Sequence, residues 1–261
     1  MRRRGGGKMS DSRIIYGFHA VTSRLRQDAG GVSEIYLDAS RNDARARDLA
    51  KLAGECNVRI IAADGRRLDG LTGNARHQGV AARVAVKPLR NDLQAIVQDA
   101  GKQALLLILD GVQDPHNLGA CLRVADAFGV HAVVAPKDRA VGLTPVVAKV
   151  ASGAAETVPY ITVTNLARTL RELKEDGVWI VGTDDAATAS LYGSRFEGPL
   201  AWVLGAEGEG MRRLTREHCD ELVRIPMSGA VESLNVSVAA GVCLGETVRQ
   251  RTSDQLVQKL K

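Results

Sequence analysis

Between residues 104 and 226 the chain repeats short apolar runs, at 104–112, 131–136, 158–163, 178–184, 200–205 and 221–226. They are too continuous to alternate and too short for helices, the pattern of strands buried on both faces. Between and after them, apolar residues return at helical spacing over 118–128, 145–154, 166–176 and 233–251. Strand and helix in alternation predict a mostly parallel sheet, joined by right-handed crossovers that place helices on both faces. Ligands of such sheets bind beyond the carboxyl ends of the strands.

The front of the chain has a shorter rhythm. An apolar start at 14–16 runs into a helix near 20–26, followed by a strand at 34–38, a charged helix over 43–55, a strand over 58–63 and an alternating strand over 79–86. This predicts a small α/β domain at 13–86, a linker at 87–100 opened by Lys87-Pro88, a larger α/β domain at 101–252 and a tail at 253–261. Residues 1–12, rich in Gly and Arg without periodicity, are expected to be a disordered basic arm.

Charge sharpens that division. Residues 14–90 carry thirteen Lys/Arg against eight Asp/Glu, whereas residues 91–261 carry seventeen against twenty-one. A basic front and a mildly acidic remainder suit a nucleic-acid partner held mainly by the front domain. Aromatic residues are only 3% of the 261, too few for a base-stacking platform. No run approaches the roughly 18 apolar residues of a membrane span, and no apolar stretch follows the basic start, so a cytoplasmic protein without a membrane partner is expected. Cys56, Cys121, Cys219 and Cys243 have neither metal-site nor disulfide-framework spacing and read as small apolar residues. The histidines share no ligand spacing, so no metal is assigned.

Three strand ends carry the candidate chemistry. After 104–112, a Gln-Asp-Pro-His-Asn turn opens a helix in which Asn117 is a cap candidate and Arg123 interrupts an apolar face. After 200–205, Gly205, Glu207, Gly208, Glu209 and Gly210 follow in the order G-x-x-G-x-G. That is not the dinucleotide fingerprint, and its carboxylates would repel a pyrophosphate. Glu207 is expected to pair with Arg123 or to accept hydrogen bonds from a substrate. After 221–226, Ser233 and Asn235 open the longest helix, followed by small residues at Ala239, Ala240 and Gly241.

Together these segments carry a resemblance. N-L-G-A-C-L-R at 117–123, L-G-A-E-G-E-G-M at 204–211 and I-P-M-S-G-A-V-E-S-L-N-V-S-V-A at 225–239 resemble, in order, the three signature motifs of the SpoU (TrmH-type) RNA 2′-O-ribose methyltransferases. I-Y-G-F-H-A-V at 15–21 and R-H-Q-G-V at 76–80 are similar to that family's substrate-binding domain, of ribosomal protein L30e-like fold. The resemblance implies a SPOUT-type parallel sheet with a deep carboxyl-terminal trefoil knot, a homodimer packed through the knot with the active site near the subunit boundary, and S-adenosyl-L-methionine as cofactor. It implies a cofactor site at Gly205, Ile225 and Leu234 with Leu204, Ala206, Met227 and Thr183 adjacent. The catalytic set it implies is Asn117, Arg123, Glu207, Ser233 and Asn235.

The reaction implied is methylation of the ribose 2′-hydroxyl of a guanosine in the peptidyl-transferase region of 23S rRNA, free or in an assembly intermediate. The alternatives are a tRNA 2′-O-ribose methyltransferase and a non-catalytic RNA-binding paralogue. A guanidinium, whose pKa lies above about 12, is a poor base, so Arg123 is expected to orient a phosphate and stabilise the developing alkoxide, held by Glu207 and Asn117. Arg66, Arg67, Arg76, His77 and Gln78 are the candidate RNA contacts, and His19 is read as a packing residue.

Overall fold

A computed structural model describes residues 12–85, 89–231 and 233–259. The basic arm expected at 1–12 falls, but for Ser12, outside these residues. The chain divides into two units, Met1–Pro88 and Leu89–Lys261.

The front unit runs β1 (Ser12–Tyr16), α1 (Phe18–Asp28), β2 (Val32–Asp38), α2 (Ala44–Glu55), β3 (Ile60–Ala63), α3 (Gly65–Thr72) and β4 (Val80–Ala85). Its strands lie in the order β1-β4-β2-β3, with β4 antiparallel to both neighbours and β2 parallel to β3. Alternation along β4 sorts the helices. Val80, Ala82 and Val84 face a core shared with Val21 and Leu25 of α1 and Leu49 and Ala53 of α2, whereas Ala81 faces Tyr36 and Leu68 of α3. Helix α3 is absent from the sequence reading because two glycines dilute its eight residues. The Asp64 carboxylate, accepting from the Arg67 N–H at 2.8 Å, and the burial of Leu68 hold it.

The second unit runs α4 (Leu93–Ala100), β5 (Leu105–Asp110), α5 (Pro115–Ala127), β6 (Ala132–Pro136), α6 (Pro145–Ala151), β7 (Tyr160–Val163), α7 (Leu166–Glu175), β8 (Trp179–Thr183), β9 (Ala189–Ser190), β10 (Leu200–Gly205), α8 (Arg213–Glu217), β11 (Glu221–Arg224) and α9 (Val236–Lys259). The strand order is β7-β6-β5-β10-β8-β11-β9, and every pairing is parallel. The apolar runs behave as strands buried on both faces. Leu105, Leu107 and Leu109 of β5 and Leu200, Trp202 and Leu204 of β10 pack with α5, α6 and α9, while Leu106, Ile108, Ala201 and Val203 pack with α4 and α7. Helix α7 shows the amphipathic rule directly, burying Leu166, Thr169, Leu170 and Leu173.

Two boundaries differ from the sequence reading. Residues 93–100, placed in a linker because of the polar stretch after Pro88, form α4, whose Leu93, Ile96 and Val97 are buried against the sheet. Helix α9 starts at Val236 rather than 233, and it continues through most of the segment read as a tail. Its small residues let it lie on α5: Ala240 is fully buried, and a methyl group at Gly241 would sit 3.8 Å from Val124 Cγ1. Inside the same packing the Trp202 indole N–H donates to Thr247 Oγ1 at 2.9 Å, and that hydroxyl donates to the Cys243 carbonyl at 3.0 Å. The buried polar atoms of this contact are therefore paired.

Candidate active site

The sheet order puts the three sequence motifs at one edge. Strand β10 lies between β5 and β8, with Gly205 opposite Asp110, and β8 is flanked by β11, with Thr183 opposite Val223. All four strands are parallel, so Asp110, Gly205, Thr183 and the Ile225 that follows β11 leave the sheet at its carboxyl end.

Glu207 is carried there by a tight loop. Ala206 and Gly210 exchange backbone hydrogen bonds of 3.2 and 2.9 Å, and Gly208 and Gly210 take φ of +78° and +68°. The loop folds back on Gly205, where a Cβ would lie 2.1 Å from the Gly210 carbonyl carbon, so only glycine fits. Asp110 fastens the far side. Its 1%-exposed carboxylate accepts the Arg212 backbone N–H at 2.9 Å and the Arg212 guanidinium at 2.6 Å from both Nε and Nη2. Sequence reasoning missed this pair, although an Asp ending the otherwise apolar run Leu-Leu-Leu-Ile-Leu was its signal. Asp110→Asn turns an amide donor toward that guanidinium, and because Arg212 is half open to water the expected loss of stability is about 1–2 kcal/mol, read by urea unfolding.

Asn235 joins the motifs. Its Oδ1 accepts from the Ser237 N–H at 2.9 Å and the Ser237 hydroxyl at 2.6 Å, which caps α9. The amide on the same side chain donates to Asn117 Oδ1 at 2.8 Å and to Glu207 Oε1 at 2.9 Å. Asn117 is free to take part because it is not the cap of α5. That role falls to Asp114, whose carboxylate accepts the His116 and Asn117 N–H groups at 3.2 and 3.1 Å. Asn117, Glu207 and Asn235 thus form one hydrogen-bonded cluster, in which the Asn117 amide nitrogen and the second Glu207 oxygen have no hydrogen bond among the described residues.

Arg123 does not join it. It is exposed, and among the described residues it makes no hydrogen bond or ion pair. The reason is helical geometry: six residues at about 100° each leave it roughly 120° around α5 from Asn117. The expected Arg123–Glu207 pairing is replaced by Asn235–Glu207. Ser233 is exposed just before the cap. Among the residues assigned to a cofactor, Gly205, Ala206, Thr183, Ile225 and Leu234 are partly exposed and Met227 is 37% exposed. Leu204 points into the core, which leaves only its peptide for a ligand.

The comparisons with known proteins agree on one family. Residues 104–245 match the SpoU rRNA Methylase family, and residues 14–89 match a domain described as RNA 2′-O ribose methyltransferase substrate binding. The chain belongs to the SpoU rRNA Methylase family. It is 63% identical over 244 residues to the 23S rRNA (guanosine-2′-O-)-methyltransferase RlmB of Ralstonia nicotianae, covering 94% of this chain and 98% of that one. With its namesake from Nitrosomonas europaea it shares 62% over 244 residues, 94% of each chain. Among solved structures it resembles the SpoU methyltransferase AviRb from Streptomyces viridochromogenes in complex with AdoMet. The TM-score is 0.61 and the identity 26%, over 93% of this chain and 91% of that one.

On the front unit of this SpoU chain the five RNA candidates lie on α3 and in the 76–78 turn that leads into β4. Arg66 and Arg67 lie on α3, with the Arg67 guanidinium 5.1 Å from the centre of the Tyr36 ring. His77 is held in a structural role, since its Nδ1 accepts the Gly79 N–H at 3.0 Å and its Nε2 lies 3.1 Å from Asp69 Oδ1. Arg76 and Gln78 are exposed. The cysteines are free; burial pushes the Cys121 and Cys219 thiols up to about 12 and raises that of Cys243 as well, so none of the three is a thiolate nucleophile near neutrality. Among the described residues no three His, Cys, Asp or Glu side chains are grouped to hold a metal, and no helix is long and apolar enough to cross a membrane.

Proposed function

We propose that this chain transfers a methyl group from S-adenosyl-L-methionine to the ribose 2′-hydroxyl of a guanosine in 23S rRNA, in the peptidyl-transferase region, on the free RNA or an assembly intermediate. The observation that carries the reading is the 63% identity to the Ralstonia RlmB protein, extending over nearly the whole of both chains. The site's chemistry supports it. Ile225, Met227, Leu234 and Ala206 offer apolar surface and the Gly205 loop offers peptide groups, with no cradle for a pyrophosphate. Such a donor set fits a nucleoside sulfonium. The chemistry supplied by bound S-adenosyl-L-methionine is an electrophilic methyl group.

The residues have separable roles. Asn235 holds the Asn117 amide and the Glu207 carboxylate in one geometry, so neither has to be ordered at the moment of reaction. Asn117 then donates to the substrate ribose or its phosphate, and the free Glu207 oxygen accepts from a substrate hydroxyl. Ser233 adds a further hydroxyl at the rim. Arg123 orients a phosphate and stabilises the negative charge that develops on the 2′-oxygen as its hydroxyl proton passes to water, which readies that oxygen for the methyl group that bound S-adenosyl-L-methionine would supply.

A homodimer completes this arrangement. Arg123 stands off the cluster of its own chain, and Val146 and Val238, on α6 and α9, are 43% and 50% exposed. A second copy packed over α5, α6 and α9, which lie against one another, gives those side chains a partner and places Arg123 at a subunit boundary. With family membership goes the trefoil knot around the carboxyl-terminal strands, the L30e-like character of the front domain, and action in the cytoplasm, where ribosomal RNA is used. The test is incubation with methyl-labelled S-adenosyl-L-methionine and total RNA from cells lacking the protein. Label is expected in 23S rRNA, either in the free RNA or in ribosome-assembly particles from the same cells offered in parallel; label confined to tRNA would overturn the substrate and keep the chemistry, and absence of label from both the RNA and the particles would overturn the enzyme.

A further inference from the structure

The front unit holds a cleft of about 800 Å³ between α1 and α2. One wall is the stripe that His19, exposed rather than the packing residue its sequence suggests, makes with Thr22 and Arg26 at i, i+3 and i+7 on α1, and the other carries Arg45 from α2. Gln78 closes the end. Of the five RNA candidates read from the sequence, Gln78 alone lines it; α3, with Arg66 and Arg67, packs on the opposite face of the sheet.

Two features mark this cleft. First, its cations are unspent. Of the other front-unit arginines, Arg24 pairs with Asp28, Arg41 with Asp43 and Arg83 with Glu34, and Arg47 donates to the Asn42 carbonyl, whereas Arg59, Arg66 and Arg76 lie outside the cleft. The side chains of Arg26 and Arg45 are exposed and have no hydrogen bond or ion pair among the described residues, and Asp48 is the single carboxylate lining the cleft. Second, Gln78 is held in a conformation that costs energy. It has φ of +57°, in the left-handed region that a residue with a side chain rarely adopts. Three neighbours enforce it: Arg41 donates to the Gln78 carbonyl, His77 accepts the following Gly79 N–H at 3.0 Å, and Gly79 has no room for a side chain, since a Cβ there would meet Arg41 Cδ at 2.7 Å. Strain that its surroundings over-determine is a mark of function, and here it presents the Gln78 amide over the first turn of α1, with Oε1 4.0 Å from where a Cβ on Gly17 would lie.

We infer that the α1/α2 cleft is a ribonucleotide subsite for the RNA substrate, with Arg26 and Arg45 on successive phosphates and Gln78 and His19 on the edge of an unpaired base. The chemistry commits to RNA: two free cations flank hydrogen-bonding groups that can both donate and accept, in a space large enough for one or two nucleotides. Phe18, the aromatic in the cleft, is already covered by the Arg41 guanidinium 5.0 Å from its ring centre, so recognition rests on edges and phosphates rather than stacking. The inference rests on the reading of the chain as an RNA methyltransferase, and it assigns the substrate-holding role to residues outside the Asn117–Glu207–Asn235 cluster.

The test compares the full-length protein with Arg26→Glu/Arg45→Glu and with Gln78→Ala, using a 23S rRNA transcript as probe. For the double variant, KM for RNA is expected to rise about tenfold or more, with the affinity for S-adenosyl-L-methionine unchanged and the slope of log Kd against log salt shallower by about 2. Gln78→Ala, which leaves charge and core alone, is expected to raise KM several-fold at an unchanged salt slope. RNA affinity and salt slope equal to wild type in both folded variants would overturn the subsite. A wild-type protein that binds the transcript with these dependences yet transfers no methyl group to it or to a precursor particle would instead overturn the enzymatic reading and leave the cleft standing.

Discussion

Asn235→Asp is expected to lower methyl transfer by about 10²- to 10³-fold in kcat while leaving the protein folded. Aspartate keeps the oxygen that accepts the Ser237 N–H and hydroxyl, so the cap of α9 survives. It loses the amide that donates to Asn117 and Glu207, and it sets a second carboxylate against Glu207 where a 2.9 Å hydrogen bond had been. Both partners are then released from the geometry the reaction uses. Asn235→Ala removes the donor and the cap together, so it adds a stability loss of about 1 kcal/mol. Single-turnover methylation alongside thermal unfolding separates the two effects. An Asn235→Asp protein within threefold of wild-type kcat would mean that the cluster is structural.

Arg123→Ala is expected to cost a similar factor in activity and almost nothing in stability, because the side chain is exposed and without a partner among the described residues. Arg123→Lys should recover little: a lysine keeps the charge but not the two-pronged donor geometry that fits a phosphate. The homodimer adds a sharper expectation. If Arg123 of one protomer serves the cluster of the other, mixing inactive Arg123→Ala with inactive Asn235→Asp rebuilds one intact site in each mixed dimer, or about a quarter of the wild-type sites after random exchange. If Arg123 serves its own chain, the mixture stays inactive, and a monomer by sedimentation would exclude the subunit boundary altogether.

Much of this was legible in the sequence, and what was not has identifiable causes. The continuous apolar runs gave the parallel sheet because strands covered on both faces need no alternation, and β5 and β10 send alternate residues to opposite cores as that rule requires. Helix α4 was hidden by the polar residues around it, since its three large apolar residues, Leu93, Ile96 and Val97, do not outweigh Pro88 and its neighbours until the sheet is there to bury them. Asn117 and Asn235 both looked like caps from their place after a strand. Only the fold shows that Asp114 takes the capping role from Asn117, and that Asn235 caps with its oxygen while its amide reaches residues 118 and 28 positions away. Charge offers Glu207 either Arg123 or a substrate hydroxyl, and the turn of α5, which carries Arg123 away from Asn117, decides against the first. On the front unit the sequence offers candidate RNA contacts but not the face each lies on, which the alternation of β4 decides by putting α3 on the other face from α1 and α2. Local pattern reports burial and caps well; it does not report which side chains meet across a hundred residues.

The decisive measurement for the proposed reaction is nucleoside analysis of 23S rRNA, methylated in vitro from an unmodified transcript or precursor particle, followed by mapping of the alkali-resistant linkage that a 2′-O-methyl group leaves. The expected product is 2′-O-methylguanosine at one position in the peptidyl-transferase region, lost with Asn235→Asp. Methyl groups on a base, or on the ribose of another nucleotide, would contradict it.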